Sequence, residues 1–172
     1  MHIRILIIAV AALAFSTTAN ASEEWGIDGE KKARFEAKVV DIACELSGNC
    51  PDNCGAGKRQ LGLLKDDGKL LLVAKNFDIF AGAVVDLLPF CGKRIVADGL
   101  MITTPHMPLF ALQFKRLAPD GKWGRANNFI KQWSAAHPGR NGQKWFRLDS
   151  SVTSVIKADG VFGIPGLKPE AE

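Results

Sequence analysis

The chain has 172 residues, 47% of them hydrophobic and 23% charged, which suits one globular domain and excludes wholesale disorder. The formal charge of +4 is too mild to mark a nucleic-acid binder, which concentrates Lys and Arg on one face. No apolar run reaches the ~18–20 residues that a membrane-spanning helix requires.

Residues 1–21 read as an export signal. Met1 to Arg4 is a short basic start, Ile5 to Phe15 is an apolar run, and Ala19-Asn20-Ala21 is a small-x-small cleavage site. Cleavage after Ala21 leaves a mature chain that starts at Ser22 and has no membrane span. The signal has bacterial form, so the expected location is the periplasm, where nucleic acid is a poor candidate partner. Residues 22–33 are polar and read as a loose lead-in, with Trp25 and Ile27 the large apolar groups.

In residues 34–44, Phe35, Ala37 and Val39 alternate with Glu36 and Lys38, the period-two pattern of a half-buried strand. The doubled Val39-Val40 marks a bulge or a change of buried face. Cys44, Cys50 and Cys54 follow in a stretch rich in Gly, Asn, Asp, Ser and Pro, which predicts a loop. With Cys91 they make four cysteines, an even count that reads as disulfides in an exported protein, with three possible pairings. The spacings match neither a zinc site nor Cys-x-x-Cys redox or haem motifs.

Residues 59–64 and 69–75 flank Lys65-Asp66-Asp67-Gly68, a hairpin signal. Residues 76–90 predict a helix, with Phe77, Phe80, Val84, Leu87 and Leu88 on its stripe, Asn76 or Asp78 near its start, and Pro89 and Gly92 as its stop. Residues 93–103 read as one bent strand kinked at Asp98-Gly99. After the turn at 104–108 comes a strand that is apolar on both faces, ended by Pro119-Asp120-Gly121. The tail predicts a helix over 125–137, carrying Phe129, Ile130 and Trp133, and a second helix capped by Asp149 or Ser150 and ended by Gly160. Trp145-Phe146 between them is an apolar anchor, and residues 161–172 form an extended end.

Five strands with a helix between the third and fourth is an order that resembles the OB fold. The resemblance covers about half the chain and rests on element order, not on a family motif. The expected class is mainly β with added helices: an OB-like barrel over 34–118 and a helical C-terminal extension over 119–172 packed on it. An open α+β sheet is the alternative. In an OB barrel the first and fourth strands are antiparallel neighbours. The resemblance therefore implies a Cys44–Cys91 bridge, with Cys50–Cys54 as the second pair. Cys54–Cys91 with Cys44–Cys50 is the close competitor.

Groups for catalysis are sparse. His106 and His137 are the only histidines beyond the signal segment, and the chain has no Tyr. Gly-x-Ser-x-Gly is absent, so Ser150 and His137 sit in no recognisable nucleophile elbow, and no catalytic residue is assigned. Gly55-Ala56-Gly57-Lys58 lacks the Walker pattern. His106 and Met107, with Met101 one strand back and Cys91, are suitable copper ligands by type; otherwise Met101 is core and the pair decorates a turn. Trp25, Trp123, Trp133 and Trp145 all lie outside the expected barrel. Trp133 fits a helix stripe, whereas Trp25 and Trp123, with Arg125 where barrel meets tail, are the candidate partner-binding residues.

Two functions from different classes are consistent with these features. The first is a non-enzymatic periplasmic accessory protein that binds another exported protein. It would assist the maturation or assembly of a redox enzyme, for example a quinone-cofactor dehydrogenase. The alternative is a periplasmic binder of a small ligand, copper or a saccharide.

Overall fold

The computed structural model describes residues 22–26, 28–75, 82–103, 107–160, 162–164, 166 and 167. The predicted signal segment, the first part of the predicted helix at 76–81, and His106 lie outside the described residues.

Strand β1 (Glu30–Asp41) pairs with both β2 (Leu61–Leu64) and β4 (Arg94–Thr103), antiparallel in each case. Strand β3 (Leu70–Lys75) pairs antiparallel with β2 through the expected hairpin. There Asp67 Oδ1 accepts from the Lys69 N–H at 3.1 Å, and Gly68 takes the left-handed φ of 79° that the turn requires. Strand β5 (Pro108–Leu117) pairs antiparallel with β4 and parallel with β3, which closes the sheet into a five-stranded barrel of OB-like topology. The register of β4 against β5 shifts at Asp98/Gly99, the predicted kink. Only glycine fits there, because a Cβ on Gly99 would stand 2.1 Å from the Ala111 carbonyl oxygen.

The inward faces of the strands supply the core: Ala37, Val39, Leu61, Leu63, Val73, Ile95, Phe110 and Leu112 are all buried. Phe35 packs edge-on against Phe110, with ring centroids 4.8 Å apart. Helix α2 (Ala83–Leu87) adds Ala83 and the fully buried Leu87 to the same cluster.

Several expectations need correction. β1 ends at Asp41, and the chain continues as a short helix, α1 (Ile42–Ser47), not as strand or loop. Asp41 causes the change: its Oδ1 accepts from the N–H groups of Ala43 and Cys44, an N-cap that starts the turn. The disulfides are Cys44–Cys50 and Cys54–Cys91, so the Cys44–Cys91 pairing is wrong and its competitor holds. Cys44 sits on α1, past the end of β1, and its partner Cys50 lies in the loop just beyond the Gly48 cap of that helix. Cys54 is buried in a 3-10 stretch (Asp52–Gly57) that folds back toward the start of β4. Nor is the lead-in loose. Ser22 is buried, and the backbone of Glu23 exchanges two hydrogen bonds with the Gln113 side chain, at 2.9 and 2.6 Å.

Beyond the barrel, a two-residue strand β6 (Gly124–Arg125) pairs with β5. The tail then forms α3 (Asn128–Ala136), α4 (Trp145–Leu148) and α5 (Ser150–Asp159). α5 is capped as predicted, Asp149 Oδ1 accepting from the N–H groups of Ser151 and Val152. Neither α4 nor β6 was expected from the sequence.

Candidate functional site

Where the end of β3 meets α2 and β5, three charged side chains are buried together. Asp86 on α2 has no exposure, and Lys75 and Lys115 have 2% and 5%. Asp86 Oδ2 lies 2.7 Å from Lys75 Nζ, and its Oδ1 accepts from Lys115 Nζ at 2.5 Å. Lys115 Nζ also donates to the Arg125 carbonyl at 2.8 Å, and Asp86 Oδ1 accepts from the Asn128 N–H at 3.3 Å. One carboxylate thus joins β3, β5 and the first residue of α3, and Lys115 extends the network to β6. Burial holds the Lys115 amine below the usual lysine range, and the hydrogen bond and charge of Asp86 oppose that shift. The sequence reading missed this cluster. Its one signal was position: Lys75 closes an apolar strand, and Asp86 interrupts Val84-Val85-Asp86-Leu87-Leu88.

A cavity of about 380 Å³ opens beside the cluster, with Lys75 in its wall. Trp25, Gln113, Arg125, Asn127 and Gln143 line it further. Two of the predicted partner-binding residues, Trp25 and Arg125, are therefore brought together. The N–H groups of Trp25 and Gly26 both donate to Glu30 Oε1 at 2.6 Å, which ties that segment to β1. The Arg125 guanidinium lies 5.5 Å from the Phe114 ring centroid. The wall offers cationic and amide donors, an aromatic face, and the buried Asn127 Oδ1, which has no hydrogen-bond partner among the described residues. That set suits a polar, anionic or hydroxyl-rich group.

Trp123 does not line this cavity. Its ring lies between the guanidiniums of Arg34 and Arg116, at 5.0 and 4.8 Å from their central carbons. A second cavity, of about 710 Å³, runs between α2, α3 and the Cys54–Cys91 bridge, with Val84, Leu88, Pro89 and Phe129 as its apolar wall.

The proposed copper ligands fare differently. Cys91 is bridged to Cys54 and cannot supply a thiolate, which corrects that part of the set. Met101 packs against the core cluster. Met107 is half-exposed at the start of β5, and His106 lies outside the described residues. Among the described residues no group of three His, Cys, Asp or Glu side chains is placed to hold a metal ion. His137 stacks on Trp133 at 4.1 Å, with its Nδ1 2.8 Å from the Trp133 carbonyl oxygen, so it serves the end of α3.

The C-terminal helices present a different kind of surface. No residue of α5 is buried. Leu148, Val155, Ile156, Phe162, Ile164 and Leu167 are all large, apolar and exposed. Beneath them Trp145 packs edge-on against Phe129, centroids 4.9 Å apart, and so anchors α4 to α3.

No protein-family model, curated protein or solved structure matches the chain. Two disulfides with no free cysteine are the mark of an oxidising compartment. No helix among the described residues is long and apolar enough to cross a membrane.

Proposed function

We propose that the protein is an exported, periplasmic accessory protein without catalytic activity of its own. It binds another exported protein and assists the maturation or assembly of a redox enzyme, such as a quinone-cofactor dehydrogenase. The observation that carries the reading is the bare C-terminal face. A helix with no buried residue, followed by exposed Phe162, Ile164 and Leu167, is apolar surface left uncovered among the described residues. Apolar surface concentrated in one segment marks an interaction site more often than it occurs by chance. Aromatic and arginine side chains are the anchors that such interfaces use. Here those are Trp123 and Arg125, with Trp25 beside Arg125 in the cavity wall.

A second reading, a small-ligand binder, has the Trp25–Arg125 cavity in its favour, which is suited to a saccharide or an organic anion. One experiment separates the two. The gene is deleted, periplasmic oxidase and dehydrogenase activities are assayed, and the gene is restored in variant form. On the accessory reading, Val155→Asp/Ile156→Asp and Trp123→Ala fail to restore activity although the proteins are exported and folded. On the ligand reading, the α5 double variant and Trp123→Ala restore activity, and only Trp25→Ala and Arg125→Ala, which fail on either reading, do not. Loss with His106→Ala alone would point instead to a metal or catalytic site at the 104–108 turn.

A further inference from the structure

The clearest unexplained feature is at the first described residue. Ser22 is 4% exposed, and Asp98, which faces it, is 2% exposed. The Ser22 backbone nitrogen donates to Asp98 Oδ1 at 3.3 Å, and Ser22 Oγ donates to the Gly99 carbonyl at 3.1 Å. The other oxygen of Asp98 is taken by Arg34, whose Nε donates at 2.7 Å and whose Nη2 forms a second, shorter contact. The Arg34 guanidinium is in turn stacked on Trp123. Among the described residues Oδ1 therefore receives one long bond, from an uncharged amide, although a buried carboxylate oxygen can accept two. Two residues in sequence, Ser22 and Glu23, are held this way against β4 and β5, the latter through Gln113.

The same nitrogen is the one that cleavage after Ala21 would set free. We propose that the Asp98 pocket is a receptor for the α-ammonium of the processed chain. Hydrolysis of the Ala21–Ser22 peptide consumes one water. It leaves a carboxylate on the released segment and an ammonium with three protons on Ser22. In the precursor the nitrogen is a neutral amide with one proton. After cleavage it is a cation beside a buried carboxylate, with donors enough for both lone pairs of Oδ1. Processing thus completes the fold: the barrel gains its strongest N-terminal contact only once the leader is gone. The uncut precursor folds less firmly, which favours a chain that must still be exported. This inference rests on the export reading and on the position of the cut.

The test compares two chains released from a cleavable fusion, one beginning at Ser22 and one keeping Ala21 before it. By the strength of hydrogen bonds to charged groups, the folding equilibrium constant from urea titration is about tenfold larger for the Ser22 chain. The difference disappears when both carry Asp98→Asn. Should that variant not fold, the second measurement is the rate at which pyridoxal phosphate transaminates the α-amine in native buffer. For the Ser22 chain it is about tenfold slower in native buffer than in urea, as burial of the amine demands, whereas for the Ala21 chain the two rates are similar. Equal folding constants for the two starts overturn the inference. Mass analysis of the exported protein separates the two possible failures. A start other than Ser22 removes both the cleavage position and the receptor, whereas a Ser22 start with equal constants removes the receptor alone.

Discussion

Asp86 is a fully buried carboxylate held by two lysines that are almost as deeply buried. Such a cluster is costly to desolvate and more costly to break, because removing one member strands the other charges. Asp86→Ala is expected to destabilise the protein by about 3–5 kcal/mol in urea titration, the range for breaking a buried pair. Lys115 makes a second, pH-dependent prediction. Its amine titrates below its ordinary value of 10.5, so between the folded value and 10.5 the unfolded chain holds a proton that the native chain has lost. Stability contributed by Lys115 therefore rises with pH across that window. Urea titrations at rising pH up to about 10.5, the unperturbed lysine value, should show the parent gaining on Lys115→Met. The cysteines differ in what they close. Cys54–Cys91 spans 37 residues and Cys44–Cys50 only 6. On the loop-entropy model their removal costs about 4 and about 2 kcal/mol respectively. Non-reduced peptide mapping checks the pairing, and paired Cys→Ala variants check the order of the two costs.

At the scale of elements, α3 depends on a glycine. Gly82 takes a φ of 87°, and a Cβ there would stand 2.3 Å from the Cβ of Phe129. Gly82→Ala must displace α3 or α2, with an expected loss of about 2–4 kcal/mol from overpacking and left-handed strain together. Melting curves give the loss, and a changed environment of Trp133 and Trp145 in near-UV circular dichroism shows that the tail helices moved. The elements legible in the sequence are those whose cause is local. Asp66-Asp67-Gly68 announces its hairpin, Asp98-Gly99 its kink, and Asp149 the start of α5. What was not legible depends on distant partners. β6 exists because Gly124 and Arg125 find Lys115 and Phe114, a pairing that two residues cannot announce. The disulfide error has a related origin. Topology brings the neighbourhoods of β1 and β4 together, but the Asp41 cap turns the chain into α1 before Cys44 is reached. The candidate site was half legible: Trp25 and Arg125 were singled out by type and do share a cavity. The lysine–aspartate cluster under it was not, since its members are 11 and 29 residues apart and meet only through the barrel.

On the scale of the whole molecule, the barrel carries two surfaces of different character, a polar cavity at its junction with the tail and an apolar face on α5 and beyond. The complementation experiment assigns function to one or the other. The two disulfides, the proposed leader and the proposed interaction face form a consistent set for a protein that works on another in an oxidising compartment. The parallel pairing of β3 with β5 has a further consequence. It is the seam that closes the barrel, and β1 reaches β4 only across some 64 residues, as Arg34 opposite Asp98 shows. Until β5 has arrived, the four preceding strands are an open ribbon whose outer members, β3 and β4, each present unpaired backbone groups. Such edges template association with other chains, and long-range seams form slowly. A chain interrupted after Thr103 would therefore be a nucleus for aggregates, and the last ten-residue strand is what converts a sticky intermediate into a closed, self-limiting particle.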